Sequence, residues 1–419
     1  MARVRGIPQW PAIMTLAAGL ALAAGSFGVA AWSRAHAAAA PPRNESRIRE
    51  LNIGFFERRL ARDPSSAYDL ARLASLHLQR GRERGDPGDV RRAEDLARRS
   101  LASRDTRNTK GYTTLVTTLM TEHRFNEARA EAERLLSLDS TDVSSRAILA
   151  EIDMELGRYD AARASFGALY SQRTNLAVAP RLARWLELEG HVEEARRLLT
   201  DALARALANP KMPREQIAWF HLRVGDLELR SGYPRSAERA FGAGLAAAPD
   251  DARLLAAMAR VESARGRRRD AIAFGERSIA IAPDPATLGL IGDAYAALGD
   301  SAKAQEYIHA MEVVTLAQPG GYHRAWSLFL LDHDLHIPEV LAQVETEIRT
   351  RPDIYGWDLL AWALHRSGRD REALPAMAHA LSLGTRDAML FRHMAMIERG
   401  VGHRIAAQQY FERAQCPSC

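Results

Sequence analysis

Lysine is nearly missing from this chain. Three of its 57 basic residues are lysine (Lys110, Lys211 and Lys303) and the rest are arginine. So lopsided a choice looks like the coding habit of a GC-rich genome. The formal charge is only +5 over 419 residues, so nothing argues for a nucleic-acid partner. Acidic and basic residues also alternate, as in VEEARRLL at 192–199, which is the pattern of solvated helix faces carrying i,i+4 pairs. Cysteine is as scarce. Cys416 and Cys419 stand alone, in the CPSC that ends the sequence. A redox C-x-x-C opens a helix after a strand, where the thiol pKa falls. Here the motif follows a helical pattern and no strand is evident. The expectation is a disulfide between Cys416 and Cys419 in an oxidising compartment, with redox or metal use as the alternative. Also absent are a nucleotide loop, a zinc-protease helix, a nucleophile elbow and a Gly-rich dinucleotide turn. The enzyme classes those motifs define drop out, and no catalytic residue, metal or cofactor is expected.

One long apolar run is present. Arg3 and Arg5 precede an uncharged stretch from Ile7 to Trp32, most apolar between Ile13 and Ala31. A basic start followed by about twenty apolar residues is an export signal or a membrane anchor. The run is long for a cleaved signal, which favours an anchor at 13–32, while Ala35-His36-Ala37 offers a cleavage pattern. No cysteine follows it, so a lipid-modified terminus is not expected. Arg3 and Arg5 stay inside and the rest of the chain is exported. Membrane contact is expected through this segment alone.

The rest repeats itself. Gly157 is followed five residues later by Ala162, and the pair recurs as Gly190 and Ala195, Gly232 and Ala237, Gly266 and Ala271, Gly299 and Ala304, Gly368 and Ala373, and Gly402 and Ala407. His123 and Ala128 hold the same slots one unit earlier. The spacings are 34, 33, 42, 34, 33, 69 and 34, which is one period with one insertion and one unmarked unit. Within a unit, apolar residues recur at helical spacing from Leu254 to Val261 and again from Ala271 to Ile281. The glycine ends the first helix in a left-handed conformation. The alanine lets the second helix cross the first closely. Phe166 and Phe241 fill the space between pairs. Pro249 and Pro283 stop the second helix, and the Asp or Thr that follows caps the next.

This pattern resembles the tetratricopeptide repeat. The fifth unit matches it with Gly225, Ala237, Phe241, Gly244 and Pro249, and the ninth with Trp357, Leu360, Ala361, Ala373 and Ala380. The resemblance covers about 63–415 and implies an all-α solenoid of about ten helix-turn-helix repeats in a right-handed superhelix. The expected organisation is a signal or anchor at 1–40 and a capping helix at 43–62, with Phe55 and Phe56 turned onto the first repeat. Repeats 1–4 follow at 63–208, repeats 5–7 at 214–317 and repeats 8–10 at 318–415, then a Cys-containing tail at 416–419. The first repeat carries a loop insertion, RERGDPGD, and the eighth has lost its markers.

Two constellations suggest binding. Asp332 to His336 reads DHDLH, with His323 nearby and His365 one repeat on, and eight of the thirteen histidines follow residue 300. Metal binding there is one reading, and a polar turn is the plainer one. The resemblance implies that the first helix of each repeat lines a concave groove. Carried over, the lining includes Lys110, Arg184, Asp226, Arg260, Asp293, Tyr355, Trp362 and His365, with Tyr322 from the irregular eighth repeat. Trp357 is assigned to packing. Asparagine is missing from the slots that clamp a terminal carboxylate in one subclass. The expectation is a non-enzymatic scaffold that holds a segment of a cell-envelope protein. A metal- or redox-assisted enzyme or carrier is the alternative.

Overall fold

In the computed structural model of this chain, residues 44–316 and 324–417 are described. Among the described residues there are 21 α-helices and no strand. The first is α1 (Asn44–Leu60). Ten helical hairpins follow. They are α2 (Ala67–Arg84) with α3 (Pro87–Ser103), α4 (Thr109–Thr121) with α5 (Phe125–Leu138), α6 (Val143–Glu155) with α7 (Tyr159–Leu169), α8 (Ala179–Leu188) with α9 (Val192–Ala208), and α10 (Arg214–Arg230) with α11 (Pro234–Ala247). Then come α12 (Ala252–Ala264) with α13 (Arg268–Ile279), α14 (Pro285–Ala297) with α15 (Ser301–Leu316), α16 (Arg324–Asp332) with α17 (Ile337–Glu347), α18 (Ile354–Arg366) with α19 (Asp370–Ala380), and α20 (Ala388–Val401) with α21 (Arg404–Gln415). The fold is an all-α helical-repeat solenoid.

The markers act as the sequence implies. All seven glycines have positive φ, from 72° to 98°, and His123 takes the same conformation at 58°. Their partner alanines are at most 4% exposed, so each sits where the two helices of a hairpin cross. Gly225 shows why a small residue is needed in the first helix too, since a Cβ there would enter the ring of Phe241. Phe166 and Phe241 are fully buried. Asp142, Asp251, Asp284 and Asp387 each cap a helix by accepting a backbone N–H of its first turn.

Three expectations shift. Phe56 is buried at 8% exposure, but Phe55 is 47% exposed and only edges against it, with ring centroids 5.1 Å apart. RERGDPGD is not simply a loop: α2 continues through Arg84, and the chain turns at Gly85 (φ 62°) before α3 starts at Pro87. Arginine and glutamate are good helix formers, so the helix runs on until the first residue that favours the left-handed turn. In the eighth unit, Asp334 takes the glycine slot with φ 56°, and Glu339 stands in place of the alanine. The turn survives without its marker because aspartate tolerates that conformation better than most residues.

The solenoid winds back onto itself. Arg351 donates to the carbonyl of Glu155 (3.0 Å) and pairs with its carboxylate (2.9 Å). The Ile354 amide donates to the Tyr159 hydroxyl (2.6 Å), and the Thr385 hydroxyl donates to the Leu188 carbonyl (2.5 Å). These partners lie 195–197 residues apart, close to six repeat periods. One apolar core accordingly joins Ala147–Leu227 to Leu330–Ile397.

Candidate interaction surface

The inner face is built from the first helix of each hairpin. On α10, Trp219, Arg223, Asp226 and Arg230 recur at spacings of four, three and four, so they share one side of the helix. Arg230 makes a bidentate pair with Glu187 of α8, at 2.5 and 3.1 Å. Arg184, one turn earlier on α8, pairs with the same carboxylate at 2.9 Å. Burial opposes ionisation of Glu187, but Arg184 and then Arg230 outweigh it and hold its carboxyl at about 2. Arg184 also donates to the Tyr355 hydroxyl (2.8 Å) and lies 5.5 Å from the centre of that ring. The Tyr355 hydroxyl donates to Asp387 (3.2 Å). Burial raises the Tyr355 hydroxyl above its ordinary value, and it raises the Asp387 carboxyl although Arg230 pulls the other way.

The groove candidates are therefore brought together largely with one another and with groups that the sequence did not single out. Arg184 meets Tyr355 from five repeats away. Arg260 pairs with Asp226 at 3.0 Å, and Asp293 with His333 Nε2 at 2.8 Å. Trp362 corrects the expectation of an open groove anchor. It is 5% exposed, its Nε1–H donates to Asp332 (2.9 Å), and it is sandwiched between the rings of His393 (4.2 Å) and His365 (4.9 Å). The neighbouring repeats supply a carboxylate on one side and an imidazole on the other, so the stripe is filled from within. His365 Nδ1 is itself paired with Asp370. Lys110 is exposed. Although its surface is open, the protein crowded around the ammonium, then Arg72 and Arg82, lower its pKa, and no acid is among the causes. Trp357 is half-buried against His379, 4.5 Å between ring centres. Tyr322, His323 and Cys419 lie outside the described residues, as does the apolar N-terminal run.

DHDLH is the turn between α16 and α17. His333 Nδ1 faces the Phe329 carbonyl at 2.8 Å. Among the described residues no group of three His, Cys, Asp or Glu side chains is placed to hold a metal. Cys416 is disulfide-bonded. No helix among the described residues is long and apolar enough to cross a membrane.

The residues that sequence reasoning missed are Glu187, Arg223, Arg230 and Asp387. Of the α10 stripe only Asp226 was singled out in the sequence, and the groups that pair with Arg230 and Asp226 lie on other repeats.

Ten hairpins, each turned by a left-handed residue and most crossed at a buried alanine, make an all-α solenoid similar to the tetratricopeptide type. No protein-family model and no curated protein matches the chain. Among solved structures it is similar to the pilF protein of Pseudomonas aeruginosa, with 17% identity over 48% of this chain and 88% of that one, at a TM-score of 0.38. It is similar to a thermophilic TPR protein of Thermus thermophilus, with 23% identity over 45% and 98%, at a TM-score of 0.38. It is also similar to human IFIT1, with 15% identity over 83% and 89%, at a TM-score of 0.45.

Proposed function

We propose that this chain is a non-enzymatic scaffold of the cell envelope that holds a segment of a partner protein against the inner face of its superhelix. The observation that carries the reading is the line of polar and aromatic side chains on the inner helices that keeps contact with solvent. Arg260 is half exposed, Arg230 keeps about a quarter of its surface, and Lys110 is open. Mixed aromatic and arginine surfaces of this kind suit protein recognition. The envelope assignment rests on the basic and apolar N-terminal segment, which would export the chain and could anchor it.

Photo-crosslinking residues placed at Lys110 and Arg260, against an outer position at Arg134, test the surface in cells. Crosslinks to a discrete protein from the two inner positions and not from Arg134 are expected. Crosslinks from Arg134 alone would overturn the inner-face reading. A reporter fused after residue 45 is expected to be active outside the cytoplasm, and activity inside would overturn the envelope assignment.

A further inference from the structure

The charges on the inner face do not balance at Arg223. Arg230 and Arg184 share Glu187. Asp226 is taken by Arg260. Asp387 caps α20, accepting the Met389 amide at 2.9 Å, and also accepts the Tyr355 hydroxyl. Each acid near α10 is committed. Arg223 stands on the same stripe between Trp219 and Arg230, and among the described residues no carboxylate comes within ion-pair distance of it. Its Nε is buried and has no hydrogen-bond partner. Burial, then Arg230 and Arg184, lower its pKa, and Asp226 and Glu187 do not offset them. An arginine keeps its proton in such a place, so the cost appears as a half-buried charge with no carboxylate paired to it.

We infer that Arg223, together with Arg184 and Arg230, forms a binding site for a carboxylate carried by an acidic segment of the partner protein. The inference rests on the scaffold reading and names the chemistry that the scaffold recognises. A guanidinium with free N–H donors takes a carboxylate in a two-pronged hydrogen bond. Trp219, one turn away on the same face, and Tyr355, beneath Arg184, offer aromatic walls for the aliphatic part of a glutamate or aspartate side chain. The size of the surplus selects the ligand. Three guanidinium groups face Glu187 and Asp387, so one positive charge is left over when Asp387 is ionised. A single carboxylate neutralises it. A phosphate dianion would bring more charge than the site lacks and would be pushed away by Glu187 and Asp387.

The test uses the purified full chain and a fluorescein-labelled poly-glutamate peptide, with glutarate, inorganic phosphate and chloride as competitors at matched ionic strength. Arg223→Met is compared with Arg268→Met, a change at an exposed arginine of α13. The peptide is expected to bind, glutarate to compete and phosphate to compete no better than chloride. Arg223→Met should weaken binding about tenfold or more, and Arg268→Met should leave it within about twofold. Arg223→Met should melt at or above the wild-type temperature, because it removes an unpaired charge. Absence of peptide binding, equal losses in the two variants, stronger competition by phosphate, or a lower melting temperature for Arg223→Met would each overturn the inference. If inner-face crosslinks to a protein persist while poly-glutamate fails to bind, the carboxylate site is wrong and the scaffold stands. If the inner face yields no crosslink, the scaffold reading itself has failed.

Discussion

Gly190 and Gly266 occupy the same slot in two repeats and share a left-handed backbone, with φ of 80° and 73°. Alanine at Gly266 would place its methyl where nothing lies within 4 Å. Its cost is the conformation alone, about 1–2 kcal/mol. Alanine at Gly190 would drive the same methyl into the backbone carbonyl of Gly384, which belongs to the next superhelical turn. A carbonyl in the main chain cannot swing aside as a long side chain can. The collision adds an overpacking cost of about 1–3 kcal/mol. Gly190→Ala should therefore be less stable than Gly266→Ala by about that increment. Urea unfolding followed by far-UV circular dichroism measures both, provided the slopes agree. Hydrogen exchange supplies the local check. The Thr385 hydroxyl bond to Leu188 spans the same contact, so amides near Thr385 should lose protection in Gly190→Ala and keep it in Gly266→Ala. Equal costs and unchanged protection would mean that successive turns of the solenoid do not touch.

Trp362→Ala should cost about 3–5 kcal/mol by thermal or urea unfolding, as for a large buried ring, and an unchanged melting temperature would return Trp362 to an open groove. Arg351→Met leaves Glu155, whose carboxyl burial already raises, without its partner on the other turn. Since that carboxylate keeps some solvent contact, the expected loss is about 1–3 kcal/mol, and no loss would show that the bridge contributes nothing. Burial alone would lower the pKa of His393, but Asp358 at 2.8 Å outweighs it and raises it above the ordinary 6.5. The stabilisation is therefore complete below pH 6.5 and fades as pH rises through the folded-state value. The stability difference between wild type and His393→Asn should shrink over that range, and a difference that grows with pH would refute the assignment. Ala271→Trp overpacks a hairpin crossing in which Ala271 is fully buried and should cost about 1–3 kcal/mol; a neutral outcome would shift the repeat register.

The parts of the fold that could be read directly depend on neighbours within one repeat. A glycine that ends a helix and an alanine at a crossing answer to backbone geometry and to a contact a few residues away, so Gly232 with Ala237 and Gly266 with Ala271 declare themselves. Asp334 hid its turn because it accepts the same backbone conformation without being glycine. Phe55 and Phe56 stand side by side, and only the docking angle of α1 decides which one is buried. The inner face was legible as a stripe, but at Trp362, Arg184 and Tyr355 it is filled from within the chain. Tyr355, Arg184 and Trp362 do fall on it, but what fills the space around them comes from elsewhere in the chain. Arg184 and Tyr355 are 171 residues apart, and no single unit encodes the pitch that brings them together. That pitch follows from a small rotation per repeat, accumulated over about six repeats.

In an extended solenoid each repeat touches only its neighbours, and stability is a sum of local terms. Here the contacts from Glu155 to Arg351 and from Leu188 to Thr385 tie repeats three and four to repeats nine and ten. The shared apolar core follows the same path. Closure of this kind has a consequence for charge. Winding the inner face onto itself draws arginines, carboxylates and a phenol out of water together, and each ion drawn in needs a partner to repay its lost hydration. Glu187 meets this demand by taking two arginines, and Asp226 meets it through Arg260. Arg223 does not meet it. Methionine would fill the same space on α10 without a charge to desolvate. Retaining a guanidinium beside two others therefore lowers the stability of the closed superhelix unless an anion from outside completes the set.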